Sequence, residues 1–374
     1  MRLLINTASV LKGGGAQVAA SFIEECIEHT EHDYHVILGE GVARIIKTGK
    51  FPSNFTFYSA AFRPGSSLLS MWKMNRWLKA QENFIQPHCV FTTSGPAYWK
   101  PKAKHLMGYN IAQHIYPESP FFGLISLKSK IRWKIKKAIA KYAYSKQADA
   151  IVTQTEAVQK RIQQWLHINN VFLVHNTCSA AYFQPSSNSK VLPEKPLGTL
   201  RLLTISAFYP HKNLGIIKEV IKILEAQQIT NIQFVLTLPE DVFKRAFETT
   251  NQQYLYNAGV VNTTTGVALY QESDIMFLPT LLECFSASYA EAMITGTPIL
   301  TSDYDFAKSV CADAALYVDA LNANDIATQI MTLQNNEQLR KTLSEAGKKR
   351  IQLFPSPAER ATAYLNICEK LIQS

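Results

Sequence analysis

Short, continuous apolar runs alternate with segments of helical periodicity along most of this chain. Runs that are apolar on every residue favour strands covered on both faces, as in a parallel sheet between layers of helices. The pattern therefore predicts an α/β architecture with Rossmann-like sheets. The predicted strands are Arg2–Thr7, Tyr34–Leu38, Cys89–Thr92, His105–Gly108, Ala150–Thr153 and Val171–Val174 in a first series, and Leu200–Ser206, Gln233–Thr237, Ile275–Pro279 and Pro298–Ser302 in a second, with helices over most of residues 303–374.

The two series are separated by a segment rich in proline and serine, residues 184–198. A chain of 374 residues is also too long for one ordinary core. We therefore predict an N-terminal domain over residues 1–183, a linker over 184–198 and a C-terminal domain over 199–355. A last helix is predicted within residues 356–374.

Composition excludes several classes of protein. Charged residues make up only 18% of the chain, which argues against disorder. The six cysteines show no Cys-x-x-Cys spacing, so we expect reduced thiols rather than a zinc site or a disulfide framework. The apolar start is too short for a signal peptide, and no stretch reaches the length of a membrane span, so we expect a cytoplasmic protein.

Positive charge is concentrated in the first half of the chain. Residues 1–190 contain 23 lysines and arginines against 10 acidic residues, whereas residues 191–374 contain 15 against 19. The first half is therefore expected to lie near an anionic partner, for which nucleic acid, a phosphorylated substrate and an acidic membrane surface all qualify.

The densest cluster of candidate site residues lies just after the strand predicted at Ile275–Pro279. Glu283 lies in the loop after that strand and Glu291 lies on the next helix. Parallel sheets bind ligands at the carboxyl ends of their strands. The two carboxylates are suited to gripping the hydroxyls of a polyol, or to acting as an acid/base pair. The alternative is structural, with Glu283 capping the helix and Glu291 facing solvent.

This segment resembles the nucleotide-sugar signature of glycosyltransferase family 4, P-S-x-x-E-G-F-G-x-x-x-x-E-A-M-A-x-G-x-P-V. The residues that match in place are Pro279, Glu283, Phe285, Glu291, Ala292, Met293, Gly296 and Pro298. The resemblance implies that Glu283, the catalytic candidate, contacts the donor sugar with help from the backbone near Phe285 and Ser286. It also implies that Glu291 holds the ribose. Cys284 and Ser286 replace two glycines of the pattern, and glycine allows close backbone approach.

Two further segments extend the resemblance. Lys212 precedes a predicted helix, where the family places a lysine on the donor diphosphate, and helix dipoles favour anions there. Ser206 begins the stretch where the family often has an arginine, and we include it among the donor-binding candidates. The run Gly13–Gly15 matches the family's glycine loop, so Gly14 and Gly15 are expected to face the donor.

On the acceptor side, Tyr109, Asn110 and His114 come after a predicted strand of the first domain, where family members often carry a His-Asp-like pair. We predict that these three residues contact the acceptor. The same resemblance implies a GT-B type fold, with two Rossmann-like domains facing a central cleft and the terminal helix crossing back onto the first domain.

A basic segment of the first domain, residues 128–146, carries eight lysines and arginines and no acidic residue. The apolar residues Leu127, Ile131, Ile135, Ala138, Ile139 and Tyr142 recur at helical spacing. We predict a helix on an anionic membrane, contacted by Lys130, Trp133, Lys134, Lys136 and Lys137. A solvated helix that packs by its apolar stripe, and a strand, are the alternatives. Nucleic acid is not expected, since no RNA-binding motif accompanies the charge.

These features together predict a retaining hexosyltransferase that moves a sugar from a nucleoside-diphosphate sugar to a glycan or lipid-linked glycan, with no cofactor. No Asp-x-Asp motif stands where a metal-dependent transferase keeps one, so metal-independent catalysis is expected, with Lys212 and helix amides stabilising the leaving diphosphate. No protein nucleophile is assigned. The alternatives are a degenerate GT-B protein that binds membranes or nucleic acid, and an NAD-linked Rossmann enzyme that lacks the usual glycine fingerprint.

Overall fold

The computed structural model describes residues 1–11, 13–60, 67–184 and 190–374, with the backbone only for Leu68. Part of the predicted linker, residues 185–189, lies outside these ranges. The described chain forms two compact units. Unit 1 comprises Met1–Ile115, Ser126–Asn176 and Pro355–Ser374, and unit 2 comprises Tyr116–Ile125 and Thr177–Phe354. The boundary between them thus falls at residues 176/177, a few residues before the position predicted from the linker composition.

The strands and helices alternate along the described chain. The strands are β1 Arg2–Asn6, β2 Asp33–Leu38, β3 Phe55–Ser59, β4 Cys89–Thr92, β5 Lys104–Gly108, β6 Ala150–Thr153, β7 Val171–Leu173, β8 Leu200–Thr204, β9 Ile232–Leu236, β10 Leu255–Asn257, β11 Ile275–Leu278, β12 Ile299–Ser302 and β13 Ala315–Val318. The helices are α1 Gly14–Glu25, α2 Glu40–Ala43, α3 Leu68–Ile85, α4 Phe121–Leu124, α5 Leu127–Gln147, α6 Glu156–Leu166, α7 Ile216–Ala226, α8 Glu240–Phe247, α9 Thr263–Gln271, α10 Ala287–Thr295, α11 Asp305–Cys311, α12 Ala323–Asn335, α13 Glu337–Ile351 and α14 Pro357–Gln373.

Each unit is built on one parallel sheet. Among the described residues, the sheet of unit 1 has the order β3-β2-β1-β4-β5-β6-β7 and that of unit 2 the order β10-β9-β8-β11-β12-β13. All strand pairs are parallel, with Leu3 opposite Tyr34 in unit 1 and Leu202 opposite Phe234 in unit 2. The predicted pair of Rossmann-like α/β domains is confirmed.

The terminal helix α14 completes the core of unit 1. Its Tyr364 ring lies 5.4 Å from Phe22 of α1 and 5.1 Å from Phe91 of β4, measured between ring centroids. The Arg360 guanidinium of the same helix is buried and donates to Asn176 Oδ1 at 2.6 Å and Ser21 Oγ at 2.8 Å. These contacts make the last helix an integral part of unit 1.

Three strands, β3, β10 and β13, were not predicted from the sequence. All three are edge strands of their sheets. An edge strand keeps one side in solvent, and the burial of these strands is correspondingly partial. β3 and β10 contain polar residues and so lack the continuous apolar run on which the prediction depended. β13 is apolar but lies in a region over which mainly helices were predicted.

The basic segment forms the single long helix α5, so the strand alternative was wrong. Ser126 caps its N-terminus by accepting a hydrogen bond from the Ser129 amide at 3.3 Å. Within the described residues, no helix combines the length and apolarity that a membrane crossing requires.

Candidate functional site

The strand order of unit 2 changes direction between β8 and β11, which lie side by side. Ligand crevices of open α/β sheets form at such switch points, outside the carboxyl ends of the strands. The chain leaving β8 leads to Lys212, and the chain leaving β11 leads to Glu283. Two candidates that are far apart in sequence are thereby brought to the same edge of the sheet.

Lys212 and Glu283 form a direct ion pair. Lys212 Nζ donates to Glu283 Oε1 at 2.5 Å, and Thr280 Oγ1 donates to the same oxygen at 2.9 Å. The two charged side chains are 15% and 11% exposed. Because the pair is so little exposed, water screens the attraction between the two charges only weakly. Both side chains nevertheless keep a small exposed fraction.

Backbone bonds from His211 join the two loops that carry this pair. Its carbonyl accepts from the Leu281 amide at 2.7 Å and from Thr280 Oγ1 at 3.1 Å. Burial lowers the pKa of His211, Glu283 raises it and Lys212 lowers it. The lowered pKa keeps the imidazole neutral near pH 7, so Lys212 is the cation that this turn presents.

Glu291 lies on α10 beside the same cluster. Tyr270 Oη donates to Glu291 Oε2 at 2.9 Å, and the Tyr182 hydroxyl also stabilises the ionised form of this carboxylate. Burial raises the pKa of Glu291 to about 7, against the lowering effects of the two phenols and of Lys212. Lys212 thus acts on both carboxylates, and unit 2 gathers the phosphate, sugar and ribose candidates into one place.

The other donor candidates of unit 2 flank this cluster. Ser286 is the buried N-cap residue of α10, and Phe285 beside it is half-buried. Ser206 donates its amide to Thr237 Oγ1 at 3.3 Å and its hydroxyl to the Ala207 carbonyl at 3.1 Å. Cys284 stands at a position where the family pattern has glycine, and its side chain is buried, so burial raises the pKa of its thiol.

In unit 1, the glycine loop lies against one of the acceptor candidates. The strand order reverses between β1 and β4, and Gly13 after β1 has a φ of 76°, which favours glycine. A Cβ added to Gly15 would lie 3.3 Å from Asn110 Nδ2. Ser94 Oγ donates to Asn110 Oδ1 at 2.8 Å and so fixes that amide. Gly14, Gly15 and Asn110 therefore share the switch point of unit 1.

The structure turns the other two acceptor candidates inward. Tyr109 and His114 are buried, with rings 6.5 Å apart, and both pack on Trp165. Burial, together with the nearby charges of Lys137 and Lys136, lowers the pKa of His114 to about 4. The rings of Tyr109 and His114 therefore belong to the interior of unit 1 and not to the exposed surface near Asn110. Asn110, which is partly exposed, remains the candidate for acceptor contact.

Helix α5 presents the apolar stripe to solvent instead of packing it. The stripe residues Leu127, Ile131, Ile135, Ile139 and Tyr142 are between 44% and 73% exposed. The opposite face of α5 packs through Ala140, Ala143 and Tyr144. The alternative in which the stripe packs within the chain is therefore wrong for these residues.

The structure divides the predicted membrane residues between the two faces of α5. Trp133 faces the protein, with its ring 6.0 Å from His114. Lys136 Nζ lies 4.8 Å from the Trp133 ring centroid, and Lys137 Nζ lies 5.7 Å from that of Trp165. At 100° per residue, the basic residues beside the exposed stripe are instead Lys128, Arg132, Lys134, Lys141 and Lys146. Lys130 is half-buried and lies about 120° from the middle of the stripe.

One Asp-x-Asp triplet does occur, Asp303-Tyr304-Asp305, immediately after β12. Asp303 forms an ion pair with Lys308, and Asp305 lies in the first turn of α11. The triplet is therefore engaged in starting a helix of unit 2.

Sequence reasoning missed Tyr182, Tyr270, Thr280 and His211 as parts of the site. Tyr270 lies on α9, a helix that was not predicted, and Tyr182 lies in a short turn just before the linker. Neither carries a motif, so only the fold reveals that both reach Glu291. Thr280 and His211 directly neighbour predicted segments, and their position beside Glu283 and Lys212 was a usable signal.

Much of unit 2 is similar in sequence to a known protein family. Residues 188–350 match the family model described as glycosyl transferases group 1. An uncharacterized 41.2 kDa protein in the cps region of Klebsiella pneumoniae is 22% identical over 333 residues, which cover 86% of this chain and 87% of that protein.

Among solved structures, sucrose-phosphate synthase from Thermosynechococcus elongatus aligns with a TM-score of 0.76 at 12% identity, covering 100% of this chain and 99% of that one. HepE from Anabaena, solved in complex with UDP and glucose, aligns with a TM-score of 0.72 at 12% identity, covering 99% and 100%. The findings support a group 1 glycosyltransferase, and the whole-chain likeness shows a GT-B type fold.

Proposed function

We propose that this chain is a retaining, metal-independent hexosyltransferase of family 4 that uses a nucleoside-diphosphate sugar as donor. The observation that carries the proposal is the cluster of Lys212, Glu283 and Glu291 at the switch point of unit 2. It presents one cation and two carboxylates within a small region that is largely shielded from water. A diphosphate, a sugar and a ribose require this combination of charges and hydrogen-bond acceptors.

In this proposal each group has a separate role. Lys212 neutralises charge on the diphosphate as it leaves, with help from the amides at the start of α10. Glu283 accepts hydrogen bonds from the donor sugar and positions it, and Thr280 holds that carboxylate in place. Glu291 accepts hydrogen bonds from the ribose. In unit 1, Gly14 and Gly15 are proposed to contact the donor, and Asn110 is proposed to contact the acceptor.

The proposed acceptor is a glycan or a lipid-linked glycan in the synthesis of a bacterial surface polysaccharide. Its support is the Klebsiella relative, whose name places it in a cps region, together with the basic and apolar surface of α5. The complex of HepE with UDP and glucose supports a nucleotide sugar as donor.

We also propose that α5 lies on an anionic lipid surface at the cytoplasmic face of the membrane. The five exposed stripe residues, Leu127, Ile131, Ile135, Ile139 and Tyr142, offer apolar contact, and the five basic residues beside them offer charge complementarity. Each basic residue near an anionic surface contributes about 1 kcal/mol at low salt. This surface would hold the enzyme near a lipid-linked acceptor.

Donor hydrolysis by the purified protein tests the proposal. UDP-glucose, UDP-N-acetylglucosamine, GDP-mannose and ADP-glucose are supplied in turn, with and without EDTA, and release of nucleoside diphosphate is measured. We expect release from one donor, unaffected by EDTA and reduced in Glu283→Gln. If no nucleoside diphosphate is released from any donor and none binds to the protein, the proposed activity is contradicted and the catalytically degenerate alternative is favoured. Binding of NAD in place of the diphosphates would favour the dehydrogenase.

A further inference from the structure

We infer that Tyr182 and Tyr270 are positioning residues for Glu291, which together orient its carboxylate to accept the ribose hydroxyls of the donor nucleotide. This inference rests on the proposed function, because it assigns a partner to the same site. Neither tyrosine belongs to the motif that identified Glu291. They come from two elements that the sequence does not connect with α10, a short turn at Ala180–Phe183 and the helix α9.

The geometry of Tyr270 joins α9 firmly to α10. Its ring is buried, and its Oη lies 2.9 Å from Glu291 Oε2 and 3.4 Å from the Ser288 carbonyl. Thr297 Oγ1 donates to the Tyr270 backbone carbonyl at 3.2 Å. Because both ends of the residue are held, the phenol has little freedom, and it fixes one oxygen of the carboxylate in a defined direction.

Tyr182 packs against Tyr270 and acts on the same carboxylate. Its hydroxyl lowers the pKa of Glu291 by stabilising the ionised form, and its ring meets Tyr270 edge-on with centroids 5.9 Å apart. The space for this hydroxyl depends on a glycine, because a Cβ added to Gly266 of α9 would lie 2.6 Å from Tyr182 Oη. The two phenols and the glycine thus form one packed arrangement around Glu291.

The chemical consequence concerns the charge on Glu291. An ionised carboxylate accepts both ribose hydroxyls, whereas a protonated one has lost part of its acceptor capacity. Burial raises the pKa of Glu291 to about 7, while Tyr270, Tyr182 and Lys212 lower it by stabilising the ionised form. α13 also packs on α10, but its lysine Lys348 approaches at Gly296, beyond the last turn of the helix.

These contacts determine the sign of the expected pH effect. Nucleotide affinity should fall as pH drops through the pKa of Glu291, since the binding form is ionised. Removing a phenol removes hydrogen bonding to the ionised form, so it raises the pKa. The acidic limb of nucleotide binding, which is the decrease in affinity at low pH, should then move to higher pH. A tyrosine that only fills space would leave this limb where it is.

The test is calorimetric titration of UDP, GDP and ADP, and of the 2′-deoxy form of whichever binds most tightly, between pH 5.5 and 9. The proteins are wild type, Tyr182→Phe, Tyr270→Phe and the double variant. Tyr254→Phe is the matched control, because Tyr254 is a buried tyrosine of unit 2 whose hydroxyl donates to the distant Ile229 carbonyl at 2.9 Å. Thermal midpoints verify that every variant is folded.

For Tyr270→Phe we expect ribonucleotide binding at pH 7 to weaken about 3- to 10-fold, as for loss of one hydrogen bond. We also expect an acidic limb at higher pH and poorer discrimination against the 2′-deoxy form, with Tyr254→Phe unchanged. A folded variant that binds nucleotide with an unmoved limb and unchanged discrimination would overturn the inference alone. Wild-type protein that binds none of the three nucleotides would overturn the proposed function, and the inference with it.

Discussion

Lys212 Nζ lies 2.5 Å from Glu283 Oε1 in unit 2, although 71 residues separate them in the sequence. Lys212, which is proposed to bind phosphate, and Glu283, which is proposed to bind the sugar, therefore neutralise each other's charge when no donor is bound. A diphosphate that binds Lys212 has to share this cation with Glu283. The pair thus sets both the charge that the site presents and the position of the carboxylate that meets the sugar.

This sharing predicts opposite effects of Glu283→Gln on binding and on turnover. Without the acidic partner, Lys212 offers its full charge, so nucleoside-diphosphate binding should tighten by up to about 10-fold, as for loss of a competing ion pair. Donor turnover should fall, because the amide positions the sugar less well. Calorimetry and donor hydrolysis measure the two effects. Weaker diphosphate binding in a folded variant would contradict this account of the pair.

Glu291→Gln, in contrast, should change the apparent KM for the donor. The amide accepts fewer hydrogen bonds from the ribose, so the apparent KM for the donor should rise about 3- to 10-fold with little change in kcat. Steady-state donor hydrolysis measures both constants. If kcat falls while KM stays constant, Glu291 acts on the reacting sugar and the roles of the two carboxylates are exchanged.

The raised pKa of Glu291 also predicts a pH-dependent gain in stability on the same substitution. Between its unfolded value of 4.5 and its folded value of about 7, the folded state holds the proton more tightly, so wild-type stability falls as pH rises through this range. Glutamine does not titrate. The stabilisation by Glu291→Gln should grow by on the order of 2 kcal/mol between pH 5.5 and 8. Denaturant unfolding at both pH values measures it, and a pH-independent difference would show that Glu291 titrates normally.

The exposed surface of α5 predicts salt-dependent binding to anionic vesicles. Replacing Lys128, Lys134, Lys141 and Lys146 with glutamine should abolish binding to phosphatidylglycerol vesicles at low salt while sparing donor hydrolysis. A second variant, Ile131→Ser with Ile135→Ser, should weaken binding even at low salt, because it removes apolar contact. Co-sedimentation measures both effects.

The matched control for the α5 variants removes the same charge from unit 2, by replacing the exposed residues Lys222, Lys244, Lys341 and Lys349 with glutamine. This control should bind vesicles like wild type. Equal losses in the two lysine variants would mean that only net charge matters. If the wild-type protein does not bind vesicles and instead forms a dimer that is lost in Ile135→Ser, the apolar stripe is an interface with a second copy of the chain.

The interior strands and one edge strand, β7, could be predicted from the sequence, whereas the other three edge strands could not. The boundaries of β4 and β6 were predicted to the residue, because each is a short apolar run that ends in one threonine. The edge strands β3 and β10 contain polar residues, and β13 is apolar but lies where mainly helices were predicted. The motif residues Lys212, Glu283 and Glu291 could be identified by resemblance, and their roles stay predictions.

The contacts among the site residues depended on the fold. No sequence pattern joins Tyr182 or Tyr270 to Glu291, because they meet only after α9 and the turn before the linker have packed on α10. Similarly, the helical period of α5 predicted an apolar stripe, but only the packing of Ala140 and Tyr144 shows which side of the helix is covered. Trp133 belongs to the covered side for the same reason.

The most direct test of the nucleotide-sugar site is calorimetric titration of UDP, GDP and ADP, and of the corresponding nucleosides, into wild type and Lys212→Ala. Lys218→Ala on α7 is the control for loss of a nearby lysine. We expect wild type to bind one of the diphosphates and Lys212→Ala to bind it roughly 10- to 100-fold more weakly, as for loss of a charge-assisted contact of about 1.5–3 kcal/mol. Nucleoside binding should be equal in both proteins. Equal diphosphate affinity of wild type and Lys212→Ala would contradict the assignment of this cluster to a nucleotide-sugar donor.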